Sequence, residues 1–257
     1  MRQLYRLLYS FCQKILSFLR AAVSAALFPD ECTLCGSIAY SVPLCRKCRT
    51  ALKEEASESV LRSRCVVCGK PLLSETEVCL QCRTEDAPAK KLDGIRPVFP
   101  YLLTKKKLLY TWKIAGCKPL TPFFADCMHK MYSHEFDGLP LVPVPPRPGK
   151  IREKGWDQTK SLANQFRHLY GVEVLDYLVR TSGLQQKKLG RKERLSRKAQ
   201  YSASRKLLHE KKENIPRHVV LLDDVMTTGS TLCSCAAVLK AYGVQKVSAL
   251  TLFTVPA

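Results

Sequence analysis

From residue 1 to 28 apolar residues recur every three or four positions, at Leu4, Leu8, Phe11, Ile15, Phe18 and Ala22. That is the period of an amphipathic helix. Lys14 and Arg20 interrupt the apolar run, so the stretch predicts neither a membrane-spanning helix nor a signal-peptide core. Packing against its own protein is the plain reading; a basic helix lying in a membrane interface, or one docking a partner, is the alternative. Residues 29–84 lose this period and turn cysteine-rich, with one short polar helix predicted over Lys53–Arg64. Glu85–Lys91 is polar, contains a proline and reads as a linker. Beyond it, residues 92–257 alternate between short apolar runs and helical periods. Strands are predicted at Gly94–Leu103, Leu139–Pro146 (broken by prolines), Val174–Thr181, Val219–Leu222 and Val244–Val255. Helical stretches are predicted at Leu108–Gly116, at Pro119–Ser133, up to about Tyr170, and after Thr231 through Leu232, Ala236 and Leu239 to a stop at Gly243. The last units form strand–loop–helix–strand, the crossover of an α/β fold with a parallel sheet.

The cysteines change this picture. Thirteen are present, and eight form C-x2-C pairs: Cys32/Cys35, Cys45/Cys48, Cys65/Cys68 and Cys79/Cys82. Gly36 and Gly69 follow the first pair of each half, as a knuckle turn requires. Two intervening residues let both sulfurs face one ion, and four thiolates close a tetrahedral structural zinc site. The reading is one or two structural Zn²⁺ ions in a small zinc-ribbon domain in a reducing compartment, with a redox dithiol as the runner-up. Sequential, cross-braced and half-empty ligand groupings all remain open. Cys12, Cys117, Cys127, Cys233 and Cys235 have no such spacing and read as small core or surface residues.

The stretch Val219–Thr231 carries the other chemistry. An apolar run of the kind buried on both faces of a sheet ends in two carboxylates, Asp223 and Asp224. The turn Thr227-Thr228-Gly229-Ser230-Thr231 then feeds a helix, whose first N–H groups and dipole suit a phosphate. Gly229 permits close backbone approach, the hydroxyls add donors, and adjacent acids can accept from vicinal hydroxyls of a ribose. The sum is a site for a sugar carrying a 5-phosphate. The plain alternative is a capped helix after a core strand, with surface aspartates.

Charge widens the range of partners. Lysine and arginine total 42 against 22 acids, a net charge of +20, which favours polyanions: nucleic acid, anionic membrane or phosphorylated substrates. Lys105-Lys106-Lys107 reads as a solvated face. Lys113 differs, set among apolar neighbours just before a turn, and is read equally as phosphate-facing or as snorkelling. Arg147 to Gln158 holds Arg147, Lys150, Arg152 and Lys154 with Gly155 ahead of a helix, a second anion cradle. Gln185 to Lys198 packs seven cations around one acid, Glu193, and reads as a surface segment.

The Asp223–Thr231 stretch resembles the phosphoribosyl-pyrophosphate (PRPP) motif of type I phosphoribosyltransferases. Val142-Pro-Val-Pro-Pro146, a basic loop, and Gly155-Trp156-Asp157-Gln158 resemble the signature of the ComF/GntX family. The order of cysteine pairs, lysine element, Val-Pro-Val-Pro loop and PRPP motif is the same. Lys154, Trp156 and Asp157 stand where that family has arginine, phenylalanine and asparagine, and Met226 where many members carry a smaller or charged residue. Gln186, Leu189, Arg191 and Arg194 fall in register with a further family element, with Arg197 in place of asparagine. Behind the amphipathic helix read from the pattern over 1–28, the resemblance implies a double zinc ribbon (29–84) and a phosphoribosyltransferase-like parallel sheet flanked by helices (92–257).

The resemblance also implies roles. Asp223 and Asp224 would hold the ribose hydroxyls, Thr227, Thr228, Gly229, Ser230 and Thr231 would wrap the 5-phosphate, and Val225 and Met226 belong to the same PRPP-binding stretch. Arg152, Lys154, Arg191 and Arg194 would face the pyrophosphate, Lys113 would face a phosphate of PRPP, and Mg²⁺ would accompany PRPP. Asp223, Asp224, Arg191 and Arg194 are the candidate catalytic residues should the site transfer its phosphoribosyl group. Two functions follow. One is a competence protein that binds PRPP or ribose 5-phosphate together with single-stranded DNA, in the cytoplasm or at the inner membrane face with DNA-uptake proteins. The other is an active phosphoribosyltransferase acting on a base or amine.

Overall fold

The computed structural model describes residues 30–72, 77–84, 91–181 and 201–255. The amphipathic segment 1–28, most of the linker and the basic segment with Arg191 and Arg194 lie outside the described residues. The chain forms two compact units, Met1–Leu52 with Thr104–Leu120, and Lys53–Leu103 with Thr121–Ala257. Among the described residues no helix is long and apolar enough to cross a membrane.

In the first unit, β1 (Asp30–Glu31) pairs antiparallel with β2 (Ile38–Ala39). Helix α1 (Arg46–Leu61) starts in this unit and ends in the second; it begins seven residues earlier than the polar pattern predicts and carries Cys48 on its first turn. A four-residue helix, α2 (Leu80–Arg83), carries Cys82 in the second unit. Strand β3 is Ile95–Pro100, and helix α3 (Leu103–Lys113) replaces the predicted end of that strand. Along α3, Lys105, Leu108, Leu109 and Trp112 are buried, so Lys105 belongs to the inward stripe and not to a solvated face.

The second unit holds the main sheet. Helix α4 (Leu120–Glu135) leads to β4 (Leu141–Pro143), then α5 (Lys150–Lys154) and α6 (Gln158–Tyr170). A small antiparallel pair follows, β5 (Leu178–Arg180) with β6 (Tyr201–Ala203), and then α7 (Arg205–Leu208). Strand β7 (His218–Met226), helix α8 (Ser230–Ala241) and strand β8 (Lys246–Thr254) complete the chain. The sheet order is β3-β8-β7-β4, with every pair parallel. Val219 to Leu222 and Val247, Ala249, Leu250, Leu252 and Phe253 are all fully buried, as a sheet covered on both faces demands. Phe124 of α4 packs edge-on against Phe253 at 6.0 Å, and Arg96 of β3 pairs with Glu135 at 2.7 Å. Between α4 and α6, His129 stacks on Tyr170 at 3.7 Å.

Two differences from the sequence pattern bear on the site. β7 continues through both acids to Met226, because Asp223, Val225 and Met226 keep register with Thr251, Phe253 and Thr254 of β8. The strand predicted over Val174–Thr181 shrinks to Leu178–Arg180 and leaves the main sheet, where Val174 keeps only a single bridge to Leu141. Its partner β6 supplies ladder bonds that no period in the sequence announces.

Candidate functional site

Parallel pairing places the ends of β4 and β7 at one edge of the sheet, so the loops after Pro143 and Met226 leave it side by side. Asp223 and Asp224 are only 9% and 7% exposed, which excludes the surface-aspartate alternative. The Asp224 N–H donates to Asp223 Oδ1 at 2.8 Å, fixing one carboxylate against the backbone. Val225 is half-buried and Met226 buried.

The chain then opens. Thr227 and Thr228 are exposed, while Gly229 is buried at φ +80° and forms the start of α8. That left-handed turn has no side-chain cap, and a Cβ would strain it. Thr228 Oγ1 lies 2.6 Å from Ser230 Oγ and accepts from the Ser230 N–H at 3.4 Å. Exposed hydroxyls thus surround a twelve-residue helix start whose dipole favours an anion, directly after two buried acids.

Tyr201 and Arg180 stand beside these groups, and the sequence reading gave neither a role. Tyr201 is 4% exposed on β6, with the Arg180 guanidinium 5.5 Å over its ring. Burial pushes the Tyr201 phenol up, against a hydrogen bond from Thr231, and the Asp223 charge adds to the rise. Burial also raises the Cys235 thiol, again helped by Asp223. Asp223 therefore faces a dry wall made by β6 and α8. An aromatic at the head of a three-residue strand offers too little pattern to be found from sequence.

The basic loop is less free than its composition suggests. Glu153 accepts two hydrogen bonds from Arg147, at 3.3 and 2.5 Å, and the pair is about half exposed. Lys150 donates to Asp157 at 2.6 Å and to Gln158 at 2.5 Å. Asp157 also caps α6 by accepting from the Lys160 N–H at 2.9 Å. Arg152 is exposed beside an open cleft lined by Pro146, Arg147, Pro148, Gly149 and Ile151. Lys113, in the first unit, sits half-buried in the last turn of α3. The Lys154 side chain, Arg191 and Arg194 lie outside the described residues.

The cysteines fall into two groups by sequence: Cys32, Cys35, Cys45 and Cys48, then Cys65, Cys68, Cys79 and Cys82. Within each group the sulfurs lie within 4.8 Å of one another, with Cys35–Cys45 at 3.6 Å and Cys68–Cys79 at 3.7 Å. A tetrahedral ion with Zn–S bonds of about 2.3 Å sets its sulfurs about 3.8 Å apart. Backbone N–H groups already point at sulfur, Cys48 N to Cys45 Sγ at 3.5 Å and Cys79 N to Cys65 Sγ at 3.4 Å. In the first group the Ser37 hydroxyl and N–H bring Cys35 down to about 6, while burial drives Cys48 up. In the second, burial works to raise Cys65 but N–H donors outweigh it and leave it near 7; burial pushes Cys82 up to about 12. Four thiolates this close repel one another, and a dication relieves that repulsion. Both sets fit Zn²⁺.

Residues 23–83 match the double zinc ribbon domain family, and residues 159–257 match the phosphoribosyl transferase domain family. The chain is therefore a phosphoribosyltransferase-type α/β protein with a double zinc ribbon at its head. It is also similar to Competence protein ComFC of Streptococcus pneumoniae, 23% identical over 184 residues, which cover 71% of this chain and 79% of that protein. This combination of domains, in this order and with that likeness, supports a ComF-type family.

Proposed function

We propose that this chain binds PRPP, or another 5-phosphoribosyl compound, with Mg²⁺ at the carboxyl edge of its sheet, and serves natural competence by handling single-stranded DNA in the cytoplasm. The observation that carries this reading is the buried pair Asp223 and Asp224, set directly ahead of an exposed hydroxyl loop and a helix start. The acids accept from the ribose hydroxyls. The Thr227–Thr231 turn holds the 5-phosphate through hydroxyls, N–H groups and the helix dipole. Arg152, Lys154, Arg191 and Arg194 serve the pyrophosphate side. Mg²⁺, when bound, neutralises part of the pyrophosphate charge. The competence role rests on similarity to the streptococcal protein named above, and the DNA role on that likeness together with a net charge of +20.

A second reading, transfer of the phosphoribosyl group to a base or amine, is favoured by the same acid pair, which a purely DNA-binding surface does not require. Calorimetry with PRPP, with and without Mg²⁺, tests the ligand: binding is expected to need Mg²⁺ and to vanish in the Asp223→Ala/Asp224→Ala chain. Unchanged affinity in that variant overturns the sugar-phosphate site. Single-strand binding is expected to weaken linearly in log–log salt plots and after loss of Arg191 and Arg194. Salt-insensitive binding overturns the DNA role, and pyrophosphate release in the presence of an acceptor selects the enzyme.

A further inference from the structure

The two cysteine sets differ in what surrounds them. In the first, Cys35 is exposed and Cys45 and Cys48 are half-buried. In the second, all four cysteines are buried, none above 8% exposed, and they share one apolar cluster with Ile95, Val247 and Ala249 of the sheet. Val67, Leu72 and Val78 pack onto that same cluster. The ribbon residues around the second set thus bury apolar surface against strands of the phosphoribosyltransferase-type fold.

Polar contacts tighten this seam. Arg64, the residue before Cys65, donates to three carbonyls: Ser59 at 2.5 Å, Gly69 at 2.8 Å and Pro97 of β3 at 2.9 Å. One guanidinium therefore ties the end of α1, the knuckle turn and the edge strand together. Gly69, at φ +69°, lies so close to β3 that a Cβ would stand 2.0 Å from the Ile95 oxygen and 2.5 Å from Pro97 Cδ. Backbone meets backbone there with no room for a side chain. Across the knuckle, the Cys65 N–H donates to the Lys70 carbonyl and the Gly69 N–H to the Cys65 carbonyl, so the ligand turn and the turn against β3 are one structure.

We infer that the zinc held by Cys65, Cys68, Cys79 and Cys82 is a folding element of the sheet unit, joined to it through Arg64 and Gly69, whereas the zinc at Cys32, Cys35, Cys45 and Cys48 exchanges without disturbing that unit. Burial keeps water and competing thiols from the second set, and losing its ion removes the cross-link that holds the knuckle against β3. The first set presents an exposed sulfur to any chelator or oxidant.

The chain's two tryptophans make the test direct, since Trp112 lies in the first unit and Trp156 in the second. In the full-length Trp112→Phe chain loaded with two zinc ions, a chelator is added while metal release and Trp156 emission are followed together. The first ion is expected to leave at least about tenfold faster, with no change in emission, and emission is expected to change only with the second. Cys35→Ser should remove one zinc and leave the thermal unfolding of Trp156 unchanged. Arg64→Met keeps all eight ligands; it should speed release of the second ion about tenfold and leave the first untouched. The inference is overturned if Trp156 responds to the faster ion, if the second ion leaves silently, if Arg64→Met changes neither rate, or if a chain holding zinc only at the first set unfolds at the usual temperature.

Discussion

The Thr227–Gly229 loop after β7 and the Val144–Gly155 stretch after β4 leave neighbouring strands at the same sheet edge, yet they carry charge differently. The first has no cation. Its attraction for an anion comes from exposed hydroxyls, a left-handed glycine and the start of a long helix, all held on a strand paired through Met226. The second is rich in cations, but Arg147 is engaged by Glu153 and Lys150 by Asp157 and Gln158. Preorganised dipoles need no rearrangement on binding, whereas cations with internal partners must give them up for the incoming phosphate. A count of charges along the sequence therefore overstates what the basic stretch offers and understates the hydroxyl turn.

The largest test of this contrast is Asp223→Ala/Asp224→Ala. Each charge-assisted hydrogen bond is worth ~1.5–3 kcal/mol, so PRPP affinity measured by calorimetry is expected to fall about 100-fold or more. A smaller loss than from Arg147→Ala would invert the ranking of the two loops. Next comes Gly229→Ala, which forces a Cβ into the left-handed region at a cost of about 1–2 kcal/mol, read as a lower denaturation midpoint together with weaker sugar-phosphate binding. Asp157 separates its two tasks: Asp157→Ala should cost about 1 kcal/mol of stability through the lost cap, while Asp157→Asn keeps the cap and releases Lys150. Stability that falls equally in both variants would show that the ion pair, not the cap, is what matters. The smallest effect is expected from Glu153→Gln. Freeing Arg147 from a half-exposed partner should raise pyrophosphate affinity by about two- to threefold at low salt, and the gain should vanish near ~1 M salt.

Much of the sheet was legible because parallel strands buried on both faces write apolar runs: Val219–Leu222 is unbroken, and Val247–Phe253 is interrupted only by Ser248 and Thr251. The acids and the hydroxyl turn were legible because their residue types coincide within a few positions. Other features depend on contacts distant in sequence. Nothing near Tyr201 reveals that it completes a ladder with Arg180, and nothing in Asp157 alone reveals Lys150 as its partner. Lys105 was misplaced because a run of three lysines hides which one the helical period turns inward. The eight cysteines were evident from spacing, but spacing is silent on burial, and contacts distant in sequence, such as Gly69 against Ile95 and Arg64 to Pro97, distinguish one knuckle from the other.

Among the described residues, both margins of the main sheet are obstructed. Along β3, Arg64 occupies the Pro97 carbonyl and the backbone at Gly69 lies close against Ile95. Along β4, the three-residue strand runs into Pro143, Pro145 and Pro146, which have no hydrogen to give. Lengthening the sheet is hindered at both of these places, which directs recognition to the loop-bearing rim and the outer helices.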